Sequence, residues 1–296
     1  MPLTHILKSY SNNPVNIIKN ITWRFPKQKS RERHVFVIGA PRSGTTLMKS
    51  ILCAHPQLTS INGETTGVFS YRNIFDKQNH FQVLKNQKIN RDNFFEIINN
   101  SQNIVTLFDN FINAYIKENH INNYEISFVE KINSPTLYRL EFIYKNFPYS
   151  KIIYVYRDGR DSYCSARNHP HVYQGRNVRQ YASHWQNCIK ARLNLPIKKD
   201  NNVFDVKYEN LTTKPEKVVR EIMEFIGKDY FPTQVEPQHY INAKLSQSKQ
   251  HSNLAKPINS SSHNRWKKEL SDYEIFHFEK IAGKQLVQLG YNLNYE

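Results

Sequence analysis

The sequence predicts an α/β fold with three layers, in which helices cover both faces of a central parallel sheet. From Val35 onward, short apolar runs alternate with helical patterns along the chain. The run from Ile152 to Val155 is apolar on both faces, as a central strand of a parallel sheet should be. In such a fold the ligand binds outside the carboxyl ends of the strands, so the residues that follow each strand are the candidates for a site.

The first strand, Val35 to Ile38, leads into the segment Gly39-Ala40-Pro41-Arg42-Ser43-Gly44-Thr45-Thr46-Leu47-Met48. A strand, a glycine turn and a helix start direct several backbone N–H groups at one point, and such a point binds a tetrahedral anion. An ordinary phosphate loop ends in Gly-Lys-Ser/Thr. Here Thr45 follows Gly44, and Arg42 is the cation of the loop. The turn is therefore P-loop-like but lacks the lysine that favours ATP or GTP.

The remaining elements follow from periodicity and from the positions of proline and glycine. The further predicted strands are 126–129, 151–156 and 203–206. The predicted helices are 45–54, two within 81–125, one between Pro135 and Pro148, then 177–195, 215–226 and a last one that begins near Ser271. We expect a basic N-terminal arm at 1–33 and one domain at 34–296, with a helical insertion at 81–125 and a long polar loop over the site at 227–264.

The composition indicates a globular protein with an excess of positive charge. Of the 296 residues, 41 are Lys or Arg and 25 are Asp or Glu, which gives a formal net charge of +16. This charge favours polyanions or a highly charged small ligand. Nucleic acid is a default candidate, but no zinc-finger spacing or aromatic RNA-binding signature accompanies the charge, so we expect no specific nucleic-acid partner.

Two sequence features, the spacing of the cysteines and the lack of a long apolar segment, indicate where in the cell we expect the protein. The cysteines Cys53, Cys164 and Cys188 lie far apart and form no Cys-x-x-Cys pair, so we expect reduced thiols that fill the core. No segment approaches the roughly 20 apolar residues of a membrane span, and no apolar signal core is found near residue 1. These features predict a soluble, cytoplasmic protein without a transmembrane segment.

A second anion site is predicted where the strand 151–156 ends. The chain continues there as Arg157-Asp158-Gly159-Arg160, and Ser165 follows eight residues after Arg157. A guanidinium and a hydroxyl at the two ends of this turn-helix unit can converge on one phosphate. The alternative is a surface turn held by its own Arg–Asp pairs.

Two anion sites at strand ends, one of them a phosphate loop without its lysine, resemble the PAPS-dependent sulfotransferases. The resemblance continues in Tyr208-Glu209-Asn210-Leu211, in Arg265-Trp266 and in Leu289-Gly290-Tyr291, and it covers nearly everything after residue 34. It implies that PAPS is the co-substrate, and that no metal is required. It also implies that the first loop binds the 5′-phosphosulfate, and that Arg157 with Ser165 binds the 3′-phosphate.

Within that family the chain is most similar to the tyrosylprotein sulfotransferases. The shared features are Ala54-His55-Pro56, Glu64-Thr65, Lys131, the unchanged Arg-Asp-Gly-Arg and Lys256-Pro257-Ile258-Asn259. Three features depart from the pattern. Thr66 replaces an arginine of the peptide cleft, His169 replaces a basic residue, and no cysteines flank Glu64 and Lys131. The missing arginine disfavours an acidic peptide as the acceptor, so the resemblance supports the donor more strongly than the acceptor.

The resemblance assigns roles on the donor and acceptor sides. The predicted donor-site residues are Arg42, Ser43, Gly44, Thr45, Thr46, Arg157, Ser165, Tyr208 and Arg265. Among them, Tyr208 would stack on adenine, and Arg265 with Ser260 to Ser262 would close the polar loop over the 3′-phosphate. Arg42 and Lys131 are the predicted catalytic cations, and Lys131 would neutralise the leaving phosphate oxygen. Glu64 is the predicted general base for the acceptor hydroxyl, with His55 as the rival base.

The predicted reaction is in-line transfer of a sulfuryl group from PAPS to an acceptor hydroxyl, with a protein tyrosine preferred. A carbohydrate or small-metabolite O-sulfotransferase is the first alternative. A basic polyanion-binding protein without catalysis and a nucleoside kinase are the others.

Overall fold

The computed structural model describes residues 22–23, 25–61, 89, 91–121, 126–196, 202–240 and 257–295. In this part of the chain five strands form one sheet: β1 (Val35–Gly39), β2 (Leu58–Thr59), β3 (Ser127–Asn133), β4 (Lys151–Tyr156) and β5 (Val203–Lys207). Their order is β2-β3-β1-β4-β5, and every neighbouring pair is parallel.

Helices connect the strands of the sheet. The longer ones are α1 (Thr45–Cys53), α2 (Arg91–Asn99), α3 (Ile104–Glu118), α4 (Leu137–Asn146), α5 (Gly159–Ala166), α6 (Val178–Leu193), α8 (Pro215–Ile226) and α11 (Asp272–Gln288). The short ones are α7 (Tyr208–Thr213), α9 (Pro237–Tyr240) and α10 (Trp266–Glu269), and two 3₁₀ turns span Tyr173–Arg176 and Pro232–Val235.

Alternate residues of β1 enter two different hydrophobic cores. Phe36 and Ile38 pack in the core that contains α3, α4, α6 and α11. Val35 and Val37 face the opposite core, which α1 and α8 cover. Full burial of each such side chain stabilises the fold by about 1.5–3 kcal/mol. The predicted three-layer α/β architecture with a central parallel sheet is confirmed.

Local sequence determines where several helices begin. The Ser271 hydroxyl accepts a hydrogen bond from the Glu274 N–H while the Glu274 carboxylate accepts one from the Ser271 N–H, so a capping box starts α11. The Asn177 side chain accepts from the Arg179 and Gln180 N–H groups and so caps α6, and Pro215 opens α8. These helices begin within a residue of the predicted positions.

Two strands differ from the expectation. β3 continues through Asn133, four residues beyond the predicted end. The predicted strand stopped before Glu130 and Lys131 because they are charged, yet both are buried within β3. β2 has two residues and is too short to show an alternating pattern. The helix α7, which follows β5 directly, was also absent from the sequence expectation.

Part of the predicted N-terminal arm packs on the domain. Trp23 is buried in the core, and its carbonyl accepts a hydrogen bond from the Ile104 N–H. The Ser30 hydroxyl donates to Asp109 at 3.0 Å, and the Ser30 N–H donates to the Asn146 carbonyl. The packed structure therefore includes residues before 34.

The three cysteines are free thiols, as expected. Burial raises the pKa of Cys53 to about 11 and the pKa values of Cys164 and Cys188 to about 12. In the described ranges, no helix combines the length and the apolarity that crossing a membrane requires.

Candidate functional site

The loop between β1 and α1 is tightly turned and internally bonded. The Ser43 N–H donates to the Ala40 carbonyl, and the Ser43 hydroxyl donates to the same oxygen. Arg42 and Gly44 both have left-handed backbone conformations, with φ values of 66° and 99°. A left-handed arginine is uncommon, and such conformations concentrate at functional sites. Ser43 is fully buried and maintains the shape of the loop.

The end of β3 places two polar side chains beside this loop. The strand register sets Lys131 next to Val37 and Asn133 next to Gly39. The Lys131 ammonium donates to the Thr46 hydroxyl at 3.1 Å, and the Thr45 hydroxyl donates to the Asn133 side-chain oxygen at 3.1 Å. Both threonines that open α1 therefore contact β3, and Lys131 lies at the N-terminus of that helix, where backbone N–H groups also favour an anion.

The two predicted anion sites meet in one place. The Arg42 Nε donates to the Ser165 hydroxyl on α5 at 3.0 Å. Arg157, directly after β4, has its Nη1 3.4 Å from the Arg42 carbonyl oxygen. Ser165 was expected to act with Arg157 on one phosphate, whereas here its hydrogen bond joins it to Arg42. The structure thus brings all three residues together and joins the two predicted sites into one.

Arg157 is held with little freedom. It is buried, and its guanidinium lies 4.6 Å from the centre of the Tyr208 ring. Its Nη2 donates to the Ser262 carbonyl at 2.5 Å, while its buried Nε has no hydrogen-bond partner among the described residues. A buried N–H without a partner is costly, and an anion is the partner that suits a guanidinium best.

Tyr208 connects the first loop to the second arginine. A Cβ atom on Gly44 would lie 2.3 Å from Cδ2 of the Tyr208 ring, so the ring packs directly on the glycine backbone. The Tyr208 hydroxyl is 3.1 Å from the Ser262 hydroxyl. In this structure the ring contacts Gly44 and Arg157, and its predicted stacking on adenine stays a prediction.

Residues 260–266, here called the covering segment, lie across the second arginine. Besides Ser262, His263 takes part, with its Nε2 2.6 Å from the Thr212 hydroxyl. The backbone N–H groups of Asn264 and Trp266 donate to the Asp161 carboxylate at 2.8 and 3.1 Å. This segment includes the end of the predicted polar loop. Residues 241–256 of that loop lie outside the described residues.

Arg265 belongs to the covering segment but is paired with an acid. Its Nε and Nη2 donate to the two carboxylate oxygens of Glu269 at 2.7 and 3.1 Å. This bidentate pair raises the pKa of Arg265 and lowers that of Glu269. Its predicted contact with the 3′-phosphate stays a prediction.

The electrostatic environment of Arg42 is that of an anion site. Burial lowers the pKa of Arg42, and the nearby Arg157 and Arg265 guanidinium groups lower it further. Like charges that are held together in a partly buried place repel each other, and a bound anion relieves this repulsion.

The two arginines of the Arg-Asp-Gly-Arg segment have different roles. Arg160 is buried and forms ion pairs with Asp158 at 2.8 Å and with Glu279 at 2.5 Å. Its guanidinium also lies 3.8 Å from the centre of the Trp266 ring. The internal Arg–Asp pair weighed as the alternative is therefore present, but it uses Arg160 and leaves Arg157 at the site.

Other candidate residues lie elsewhere. His55 is at the end of α1 remote from Thr45, its Nδ1 accepts from the Gln57 N–H, and burial lowers its pKa. It serves the turn between α1 and β2, and its candidacy as the rival base stays a prediction. Trp185 is fully buried in the core. Glu64 lies outside the described residues, and its role as a base stays a prediction.

Sequence reasoning missed several residues that support the site. The Tyr181 hydroxyl donates to the Pro41 carbonyl at 2.6 Å. The Glu209 carboxylate accepts from the Asp158 N–H at 3.1 Å and from the Tyr291 hydroxyl at 2.9 Å. The predicted strand ended at residue 129, so no sequence signal marked Asn133 at the true end of β3. The segment Tyr208-Glu209-Asn210-Leu211 carries the resemblance, but no role was predicted for its glutamate.

Among the described residues, no group of three or more His, Cys, Asp or Glu side chains could hold a metal ion. A metal-independent reaction stays a prediction.

A family model and a curated relative that match this chain are both sulfotransferases. The family model described as "Sulfotransferase family" matches residues 34–232 of the 296-residue chain. The chain is 24% identical over 269 residues to protein-tyrosine sulfotransferase 1 of Danio rerio, covering 87% of this chain and 72% of that protein.

Two solved structures share the fold. The sulfotransferase domain from the curacin biosynthetic pathway aligns with a TM-score of 0.60 at 20% identity, covering 89% of this chain and all of that one. Mouse sulfotransferase SULT7A1, solved in complex with PAP, aligns with a TM-score of 0.53 at 13% identity over 91% of this chain and 88% of that one.

Proposed function

The chain belongs to the sulfotransferase family, and on this premise we propose that it transfers a sulfuryl group from PAPS to an acceptor hydroxyl, with a protein tyrosine as the preferred acceptor. The proposal rests above all on the hydrogen bond between Arg42 and Ser165, since it makes the two predicted anion sites parts of one site. A nucleotide with anionic groups at both its 5′ and 3′ positions needs such a pair of adjacent sites. The PAP bound to the mouse relative is a nucleotide of this kind.

The residues at the β1–α1 loop suit the reacting end of the donor. Sulfuryl transfer, like phosphoryl transfer, is catalysed mainly by positioning and by cations around the transferred group. Arg42, the N-terminus of α1 and the Thr46 hydroxyl would hold the phosphosulfate. Lys131, 3.1 Å from that hydroxyl, would neutralise the phosphate oxygen that leaves.

The second arginine suits the other end. Arg157 offers the buried Nε that has no partner among the described residues. A guanidinium fixed by Tyr208 and Ser262 loses little freedom on binding, which favours affinity. We assign Arg157 to the 3′-phosphate, with Ser165 between the two ends.

The proposed transfer of the sulfuryl group needs no reactant besides PAPS and the acceptor. The acceptor oxygen forms a bond to sulfur, the bond between sulfur and the bridging phosphate oxygen breaks, and PAP leaves with that electron pair. The acceptor proton passes to a base, for which we propose Glu64. A phenol, with an ordinary pKa near 10, needs such a base only late in the reaction.

The tyrosine acceptor is supported by the name of the Danio rerio relative and by the shared sequence segments around Glu64 and Lys131. Thr66, in place of an arginine of the peptide cleft, favours a sugar or small metabolite as the second candidate acceptor.

The deciding experiment incubates the full chain with PAPS and follows sulfate incorporation by mass spectrometry. The acceptors are a tyrosine peptide, the same peptide with phenylalanine in place of tyrosine, and a panel of oligosaccharides. We expect the tyrosine peptide alone to gain a sulfuryl group. Transfer to an oligosaccharide but not to the peptide would replace the acceptor, and PAP binding without any transfer would indicate a polyanion-binding protein.

Lys131→Met tests the role of the lysine in the same assay. Loss of one charge that stabilises the transition state should lower kcat by about 10²–10³-fold. Lys145→Met is the matched control, because Lys145 is an exposed lysine paired with Glu141 on α4. Equal activity of the two variants would contradict the assignment.

A further inference from the structure

Asp161 is a buried carboxylate beside a site that should bind anions. The residue is 1% exposed, and burial raises the pKa of its carboxyl, while the nearby Arg157 guanidinium partly opposes this shift. A negative charge at this position opposes the binding of a negatively charged ligand. Its presence there calls for a compensating role.

The carboxylate binds the backbone of the covering segment. Its two oxygens accept from the N–H groups of Asn264 and Trp266, at 2.8 and 3.1 Å. Asn264 has a left-handed φ of 54°, and Arg265 follows it in the right-handed helical region. Successive residues of opposite hand turn their N–H groups to one side and form an anion-binding concavity. In this protein the anion in the concavity is Asp161 itself.

The rest of the covering segment reaches the second arginine from that anchor. Two residues before Asn264, the Ser262 carbonyl accepts from Arg157, and the Ser262 hydroxyl contacts Tyr208. Thr212 provides a second attachment through His263. The position of Ser262 over Arg157 therefore depends on the attachments at the residues that follow it, and the Asp161 carboxylate is the charged and buried one.

We propose that Asp161 is a positioning residue that docks residues 260–266 across Arg157, and that the docked segment is required for tight binding of the 3′-phosphate end of the donor. The inference rests on the proposed function, because it assigns Arg157 to that phosphate. Asp161 acts through the covering segment and does not contact the nucleotide.

The substitution Asp161→Asn separates positioning from simple electrostatics, because the two predict opposite signs. It removes a negative charge near Arg157, which on electrostatic grounds alone strengthens the binding of an anion. It also replaces one acceptor oxygen with an NH₂ group that faces a backbone N–H, which loosens the covering segment. Weaker binding of the anion by Asp161→Asn thus indicates that Asp161 positions the covering segment. Stronger binding indicates that Asp161 acts only as a negative charge near Arg157.

The experiment measures Kd by calorimetry for PAP and for adenosine 5′-monophosphate, which lacks the 3′-phosphate. For Asp161→Asn we expect PAP to bind about ten- to a hundredfold more weakly and the monophosphate to change by less than about threefold. Asp109→Asn is the matched control. Asp109 is a largely buried carboxylate on α3 that accepts from Ser30 and pairs with His34, and we expect no change in either Kd.

Two further variants extend the test, and the first of them keeps the inference testable if Asp161→Asn folds poorly. Thr212→Val removes the His263 anchor without changing any charge, and we expect a smaller loss that is again confined to PAP. In an Arg157→Ala background, Asp161→Asn should have no further effect on PAP, because the segment then has no guanidinium to support.

The outcomes distinguish the inference from the proposed function. If the natural protein binds no PAP, the proposed function fails. If it binds PAP and Asp161→Asn binds it equally well or more tightly, only the role of Asp161 fails. Equal losses for PAP and the monophosphate, or a PAP loss that persists without Arg157, would also overturn it.

Discussion

Gly44 joins the two halves of the site, and its substitution by alanine should destabilise the fold for two separate reasons. Its φ of 99° lies in the region that residues with a Cβ atom avoid. An added Cβ would also lie 2.3 and 2.7 Å from two carbons of the Tyr208 ring. Gly44→Ala therefore combines backbone strain with a steric collision.

Gly227 separates these two costs. It has a φ of 72° at the end of α8, and an added Cβ would meet no atom within 4 Å. Gly227→Ala should therefore cost only the left-handed strain, about 1 kcal/mol of the free energy of unfolding. Gly44→Ala adds the displacement of a packed ring, about 1–3 kcal/mol more, for a total of about 2–4 kcal/mol.

Urea unfolding, followed by tryptophan fluorescence, measures both variants. Nucleotide binding adds a functional measure, since displacement of Tyr208 disturbs Arg157, 4.6 Å from its ring, and should weaken PAP binding in Gly44→Ala but not in Gly227→Ala. In the double variant Gly44→Ala/Tyr208→Ala the collision is absent, so the two stability losses should not add. Equal destabilisation by the two glycine substitutions would refute this reasoning.

Three further predictions concern the donor and the histidines. Arg157→Ala should weaken PAP by about a hundredfold and adenosine 5′-monophosphate far less, and equal losses in a binding titration would contradict the 3′-phosphate assignment. EDTA should leave sulfuryl transfer unchanged, whereas loss of turnover would indicate a metal enzyme. The free energy of unfolding should fall as the pH is lowered from 7 towards 5, because burial lowers the pKa values of His55, His184 and His263 below the ordinary 6.5. The unfolded chain then binds more protons than the folded one, so stability rises with pH in this range, and a flat urea-unfolding profile would contradict it.

The sequence predicted the elements whose signals are local. β4 has the expected bounds because its apolar run is continuous, and α8 has its expected bounds because proline and glycine mark its ends. The first loop was found in the same way, since its glycines and hydroxyls lie within a few residues. The second arginine was found from its place directly after a strand, and the family resemblance then assigned it to the 3′-phosphate.

The contacts that complete the site depend on residues that are distant in sequence. Asp161 binds backbone groups 103 and 105 residues further along the chain, so no spacing near Asp161 identifies its role. The length of β3 was underestimated for another reason. Lys131 interrupts an apolar pattern, and only the fold shows that its buried stem lies within a central strand beside the loop that it serves.

The positive character of the site follows from how the protein uses its neighbouring acids. Arg42 and Arg157 form no ion pair with any carboxylate of the described residues. The acids near them accept hydrogen bonds from other protein groups instead: Asp158 from Arg160, Asp161 from Asn264 and Trp266, Glu209 from Asp158 and Tyr291, and Glu269 from Arg265. Because each of these acids is held by another group, none can turn to neutralise the two arginines. The net charge of +16 would suit any polyanion, but this arrangement concentrates in one place two guanidinium groups that form no ion pair within the described part of the chain, and it favours a small ligand with two anionic ends.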